Sequence, residues 1–432
     1  MKEYVSPENA LSRIKNGDRV FVQGSAATPV SLLQTMAHMA DQWNWLELVN
    51  ISIMGDLDIT RPEFENKFIF NSLFVSAPIR KTVNEGPSDY VPVFLSEIHR
   101  LFEKGYLPLD VALIHVSPPD AHGYCSLGVS VDISRSAVRS AKTVIAQVNP
   151  NMPRTHGDGL IHVNDIHAMV WAEDELPIVD YRSGITSCEQ KIGEFCASII
   201  EDRSTIQAGI GTIPDAVLMA LKNHKDLGVH TEMFSNGVVD LMKRGVITNK
   251  FKKKYKGRIA TAFAIGTREL YDFVDDNPVF AFLEAGYVND ERTIRANPRV
   301  VAINSALEID LTGQVCSDSI GTYQYSGVGG QMDFIRGASF SEDGRPIIAM
   351  PSVTAKGVSK IVPVLKAGAG VVTTRAHVHY VITEYGVADL FGKNLRQRAE
   401  ALLKISHPDH QEALDKEIRN RFGSKIVSFS NR

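Results

Sequence analysis

The chain has 432 residues, which at roughly 150 residues per domain predicts two or three domains with sizeable cores. Forty-six basic against fifty acidic residues leave a net charge of −4, which argues against a nucleic-acid binder working through bulk positive charge. No apolar run approaches the roughly 18 residues of a membrane span, the first residues are too charged for a signal peptide, and Cys125, Cys188, Cys196 and Cys316 form no C-x-x-C pair. The expectation is a cytoplasmic protein without a zinc site or disulfide framework.

In chain order, a short amphipathic helix over Pro7 to Lys15 precedes a strand, Arg19 to Val22, and then Gln23-Gly-Ser-Ala-Ala-Thr-Pro29 opens a helix. Strands follow at Val111-Ala-Leu-Ile and Thr143-Val-Ile-Ala146, a helix is expected over Glu189 to Ile200, and the domain boundary is placed in Pro177 to Ser187. This divides the chain into residues 1–187 and 188–432. The pattern of the first part returns in the second. Gln207-Ala-Gly-Ile-Gly-Thr-Ile-Pro214 repeats the strand, glutamine, glycine and proline of residues 23–29, and Asp310-Leu-Thr-Gly-Gln-Val-Cys-Ser317 repeats Asp120-Ala-His-Gly-Tyr-Cys-Ser126. Spacings agree: Pro29 to Asp120 is 91 residues (120 − 29) and Pro214 to Asp310 is 96 (310 − 214). Two matches in order indicate a duplicated α/β domain with parallel or mixed sheets flanked by helices. The second copy carries a glycine-rich insertion, Gly321 to Phe334, where function is expected to have been added.

The stretch Ser204 to Gly237 holds the chemistry. A strand at Thr205 and Ile206 enters a glycine turn (Gly209, Gly211), Pro214 and Asp215 open a helix, and a strand from Val229 delivers Glu232 to a turn. Strand, glycine turn and helix start make an anion site. Glu232 lies 21 residues past Gly211 (232 − 211), where a dinucleotide fold carries its ribose-binding acid. The pattern is G-x-G-x-x-P, however, with Pro214 replacing the third glycine. A dinucleotide site, a catalytic or ligand-contacting Glu232, and a structural turn all remain open on these residues alone.

Other candidates carry less. Glu284 and Glu308 are rival acids near strand ends; His156, His162 and His167 near Asp158 and Asp165 fit no metal motif, so no metal is expected. Cys125 has no activating partner. The basic run Lys250 to Arg258 is read as a solvated surface or a field for phosphates. No G-x-S-x-G elbow or P-loop occurs.

Five segments together resemble the acetyl-CoA hydrolase/transferase family of class I CoA-transferases: Asp89 to Glu97, Val116 to Gly128, His230 to Gly237, Gly327 to Phe334 and His377 to Asp389. The resemblance covers nearly the whole chain. It implies two similar tandem α/β domains of the CoA-transferase (NagB/RpiA-like) type with the active site between them. It also implies that Glu232 is the nucleophile, carrying CoA as a glutamyl thioester, and that Gly330 supplies an oxyanion-hole N–H. Gln207, Ala208, Gly209, Ile210 and Gly211 match the CoA-contacting loop; Gly327 and Gly329 belong to the glycine loop, and Leu307, Lys356 and Gly357 align with further CoA contacts. The activity implied is exchange of CoA between a butyryl- or 4-hydroxybutyryl-CoA and a carboxylate such as acetate. The substrates are then the CoA thioesters themselves, with no separate cofactor, no nucleic-acid or membrane partner, and a homo-oligomeric state. A carboxylate with an ordinary pKa of about 4.3 would be ionised at neutral pH without a base. Hydrolysis of the same thioesters, a nicotinamide-dependent oxidoreductase using the Gly209 loop, and a silent metabolite-binding protein are the alternatives.

Overall fold

A computed structural model describes residues 3–423. Its first sheet has seven strands: β1 (Arg19–Val22), β2 (Leu46–Ile51), β3 (Phe68–Phe74), β4 (Asp89–Tyr90), β5 (Val111–Val116), β6 (Thr143–Val148) and β7 (Ala168–Trp171). Their order is β4-β3-β2-β1-β5-β6-β7, with every neighbouring pair parallel. The second sheet has six: β8 (Thr205–Ala208), β9 (Gly228–Val229), β10 (Val300–Asn304), β11 (Arg345–Ala349), β12 (Tyr380–Thr383) and β13 (Gly386–Asp389), ordered β9-β8-β10-β11-β12-β13. All its pairs are parallel except β12 with β13. The order β2-β1-β5-β6-β7 of one sheet is thus the order β9-β8-β10-β11-β12 of the other. Strands covered on both faces favour apolar residues at most positions, and the six residues of β5 are all buried, with His115 the one polar exception, paired with Asn149.

The aspartate turns share their backbone hydrogen bonds and their Oδ1 acceptor. Asp120 N–H donates to Tyr124 O, and Asp120 Oδ1 accepts from the N–H groups of His122 and Tyr124. Asp310 N–H donates to Gln314 O, and Asp310 Oδ1 accepts from Thr312 and Gln314. Each turn is closed at the same offset by one further backbone bond, Ser117 to Ser126 in the first and Leu307 to Cys316 in the second.

Element ends differ from expectation for local reasons. The first helix covers Pro7–Leu11 and stops short of Lys15, because the Asp18 carboxylate takes the Lys15 N–H at 2.8 Å and turns the chain. The helix expected over 189–200 is Ser187–Ser198, set back by the Thr186–Glu189 capping box. Pro214 is the third residue of the helix Thr212–Ala220 rather than its opener.

The halves are not separate bodies joined by a linker. One apolar core runs through both, taking Phe21, Ile114 and Ala146 from the first and Ile206, Val301 and Ile347 from the second. Backbone bridges join Ser130 to Phe263 and Gly157 to Phe282. The glycine-rich insertion crosses the seam from the other side: Arg80 Nε donates to Tyr325 O, and Asn84 exchanges two hydrogen bonds with Gln324.

Candidate active site

The parallel strands β8 and β9 end side by side, so the chain after each leaves the sheet at its carboxyl edge, the usual location of ligands in open α/β sheets. His230 N–H donates to Ile206 O. Thr231 Oγ1 then donates to Ala208 O at 3.0 Å, tying the start of the Gln207–Gly211 loop to the residue before Glu232. Glu232 itself is pinned through its carbonyl, which accepts from the N–H groups of Ala262 and Phe263.

The partly buried Glu232 side chain meets Gly330. A Cβ on that glycine would stand 1.7 Å from Glu232 Oε2 and 2.2 Å from Asn289 Nδ2, so only glycine allows this approach. Asn289 Nδ2 donates to Glu232 Oε2 at 3.1 Å and to Asp333 Oδ2 at 3.2 Å. Asp333 in turn accepts from Ser96 Oγ at 2.8 Å and from Ser96 N–H at 3.1 Å. The first half also fixes the glycine loop: Leu95 N–H donates to Gly329 O, the Tyr90 hydroxyl accepts from Val328 N–H at 3.0 Å, and Phe74 packs on Gly327 and Gly329. The arrangement therefore spans both halves.

Burial pushes the Glu232 carboxyl up to about 7, the Asn289 bond opposes the shift, and the nearby Asp333 and Asp132 add to it. The expectation of an ordinary carboxylate does not hold, because the cost of desolvating the charge exceeds what one amide donor returns. Asp333 is likewise raised to about 7, chiefly by burial. His230 is no base for Glu232: its Nε2 contacts Val288 O at 2.8 Å, and burial drives its pKa down to about 3.

The other expected residues fall at varied distances from this centre. Gln207 Oε1 accepts from Asn304 Nδ2, while Gly209, Ile210 and Gly211 are partly exposed along the edge beside Thr231. Leu307 sits in the second aspartate turn. Lys356 and Gly357 lie in an exposed turn, with the Gly357 carbonyl facing His410 Nε2, and no bond joins them to Glu232. Glu284 is paired with Arg139 at 2.7 Å and Glu308 with Lys366 at 3.5 Å, so each rival acid has a cationic partner, which Glu232 lacks among its hydrogen-bond and ion-pair contacts in the described residues.

The histidines separate: His156 Nε2 contacts Asp276, His162 packs on Tyr124, and His167 accepts from Val144 N–H. Among the described residues no group of three metal-ligating side chains is assembled. Cys125 is buried and its thiol pushed up to about 12. Lys252 is not a surface charge. It is buried, donating to the carbonyls of Val229 and Arg258. Sequence reasoning missed Asn289, which reaches Glu232 only through the fold; Ser96 and Asp333, joined to each other, lay inside recognised segments with no role attached.

A family model described as the acetyl-CoA hydrolase/transferase N-terminal domain matches residues 1–182, and the corresponding C-terminal domain model matches 266–418. The chain is 50% identical over 413 residues to the succinyl-CoA:acetate/propanoyl-CoA:succinate CoA transferase of Fasciola hepatica, covering 94% of this chain and 86% of that one. It is 49% identical over 423 residues to the 4-hydroxybutyrate coenzyme A transferase of Clostridium kluyveri, covering 98% of each. RipA from Yersinia pestis superposes with a TM-score of 0.92 at 36% identity over 97% of this chain and 98% of that one.

Proposed function

The chain belongs to the acetyl-CoA hydrolase/transferase family, and from that premise we propose that it is a CoA-transferase exchanging CoA between a short-chain acyl-CoA, butyryl- or 4-hydroxybutyryl-CoA, and a carboxylate such as acetate. The observation that carries this reading is the Glu232 carboxylate held against Gly330 and Asn289 at the meeting of the two halves. Residues 188–432 supply the nucleophile and the CoA loop, and residues 1–187 supply Phe74, Tyr90 and Ser96 to the opposite wall.

The Glu232 carboxylate attacks the thioester carbonyl; the C–S bond breaks, CoA thiolate leaves, and a mixed anhydride remains. The thiolate then attacks the γ-carbonyl of Glu232, expelling the first acid and leaving a glutamyl-CoA thioester. The acceptor carboxylate attacks that γ-carbonyl and displaces the thiolate. Return of the thiolate to the acceptor's carbonyl forms the new acyl-CoA and frees Glu232. Each attack builds an oxyanion, for which we read the Gly330 N–H and the Asn289 amide, which donates to Glu232 Oε2, as the donors. A donor of this kind is worth about 3 to 4 kcal/mol. A carboxylate raised to about 7 is also a stronger nucleophile than an ordinary glutamate.

The loop Gln207–Gly211 is the contact for CoA, with Leu307, Lys356 and Gly357 as outer contacts. CoA enters as substrate, and the reaction needs no further cofactor. We also read the protein as a cytoplasmic homo-oligomer; among the described residues no helix is long and apolar enough to cross a membrane. Asn289 and Asp333 beside Glu232 are buried, and transfer is the reading we take over hydrolysis, since an anhydride survives only where water is excluded. The test is chromatography of butyryl-CoA incubated with acetate. Acetyl-CoA should appear faster than free CoA; CoA release indifferent to acetate would reverse the reading to a hydrolase.

A further inference from the structure

The Asn289 amide is an unusual donor, because one nitrogen serves two carboxylates at nearly equal distance, Glu232 Oε2 at 3.1 Å and Asp333 Oδ2 at 3.2 Å. Above about pH 7, where both carboxyls are ionised, each only accepts. Turned over, the amide would present its oxygen to both acids. The Asn289 Oδ1 atom is buried and has no hydrogen-bond partner among the described residues, so nothing on that side selects the orientation. The two acids select it.

Turnover removes one of them. Once Glu232 is an anhydride or a thioester it has lost its charge, and its carbonyl holds the amide more weakly. Asp333 is unchanged through the cycle. It is itself clamped by two donors of one residue of the first half, Ser96 Oγ to Oδ1 and Ser96 N–H to Oδ2, in the short turn Leu95–Glu97, whose Leu95 N–H also holds Gly329 O. The other charged groups acting on this pair are Glu97, toward Asp333, and Asp132, toward Glu232; both are acids and neither replaces the clamp.

We propose that Asp333 is a positioning residue: held by Ser96 across the seam, it keeps the N–H2 of Asn289 aimed at the γ-carbonyl of Glu232 while that group is uncharged. The inference rests on the reading of Glu232 as nucleophile. It assigns the first half a part in catalysis beyond enclosing the substrate.

A double-variant cycle tests it, using butyryl-CoA and acetate. Asp333→Asn keeps the volume and should lower kcat about 100-fold, with KM for butyryl-CoA within about threefold and the melting temperature little changed. Asn289→Ala should lose a similar factor. The double variant should be slower than Asn289→Ala by less than about twofold, because Asp333 acts through the amide. Ser96→Ala should show a smaller loss of the same kind, restored by Ser96→Thr, whose hydroxyl can reach the same oxygen. Losses that multiply in the double variant, or that fall on KM or on melting temperature rather than kcat, overturn the proposal. Should Asp333→Asn fail to fold, the cycle of Ser96→Ala with Asn289→Ala decides by the same criterion. Glu232→Ala run in parallel separates the two failures: if it stays active the nucleophile reading falls and this inference with it, whereas an inactive Glu232→Ala beside multiplying losses removes only the role of Asp333.

Discussion

The two halves place the same turn at the same edge of the same sheet and use it in opposite ways. In the first, Gln23 to Pro29 are all buried. Gln23 Nε2 donates to the carbonyls of Leu127 and Ser130, its Oε1 accepts from His115 N–H, and a Cβ on Gly24 would lie 1.8 Å from Ile51 O. The strand ends beyond it are closed by polar pairing: Gln147 and Ser31 donate to Asp174, and Asn149 meets His115 Nε2. In the second, Gly209 to Gly211 remain partly exposed, and a Cβ on Gly209 would meet only Pro214 Cγ at 4.0 Å. A duplicated turn has become a packing surface in one copy and an open edge beside Glu232 in the other. The difference teaches that the fold supplies the position, while what fills the space above it decides whether the position is structural or chemical.

The strongest way to break the contrast is to remove the acid. Glu232→Ala should abolish transfer and the covalent CoA adduct, read by borohydride reduction and mass spectrometry of the peptide containing Met233 and Phe234, while CoA binding persists. An adduct on Glu284 or Glu308 would overturn the assignment. Next, Gly330→Ala drives a methyl into Glu232 and Asn289 and should cost about 100-fold in kcat, since displacement of reacting groups by about 1 Å has that effect.

The paired substitution sharpens the comparison directly. Gly24→Ala, meeting backbone, should destabilise by about 1 to 3 kcal/mol, seen in denaturant melts. Gly209→Ala should stay within about 0.5 kcal/mol yet raise KM for acyl-CoA. The reverse pattern would show that the two turns have been read the wrong way round.

The smallest effects are in pH, and they have opposite signs. His115 is buried neutral with its pKa lowered to about 4 by desolvation, so the stability it contributes is present above about 6.5 and lost as pH falls toward 4. Glu232 has a raised pKa, so its contribution is present below about 4.5 and lost as pH rises through about 7. His115→Gln should therefore destabilise most at neutral pH, and Glu232→Gln should stabilise the free protein increasingly from pH 5 to 8, by thermal melts. In kinetics, kcat/KM should rise with pH through about 7 as Glu232 ionises.

Much of this molecule was legible in its residues. The strands β1, β5, β6 and β8 are largely apolar runs bounded by turn residues, a local signal because a strand buried on both faces favours apolar side chains at most positions. The repeated glutamine-glycine turn and the aspartate turn revealed the duplication; the aspartate turn is made by hydrogen bonds within five residues, whereas Gln23 is held by residues more than ninety positions away and was visible only as a repeated pattern. Glu232 and the glycine loop were marked by motif. Tertiary structure alone decided what those groups experience. Whether Glu232 is an ordinary carboxylate or one raised to about 7 depends on burial and on Asp132, Asn289 and Asp333, none of them within forty residues of it. Whether Lys252 faces phosphate or carries the carbonyl of Val229 depends on which side of a turn the core lies. Spacing records hydrogen bonds that close locally; desolvation and charge coupling act through space, and only the packed chain sets those distances.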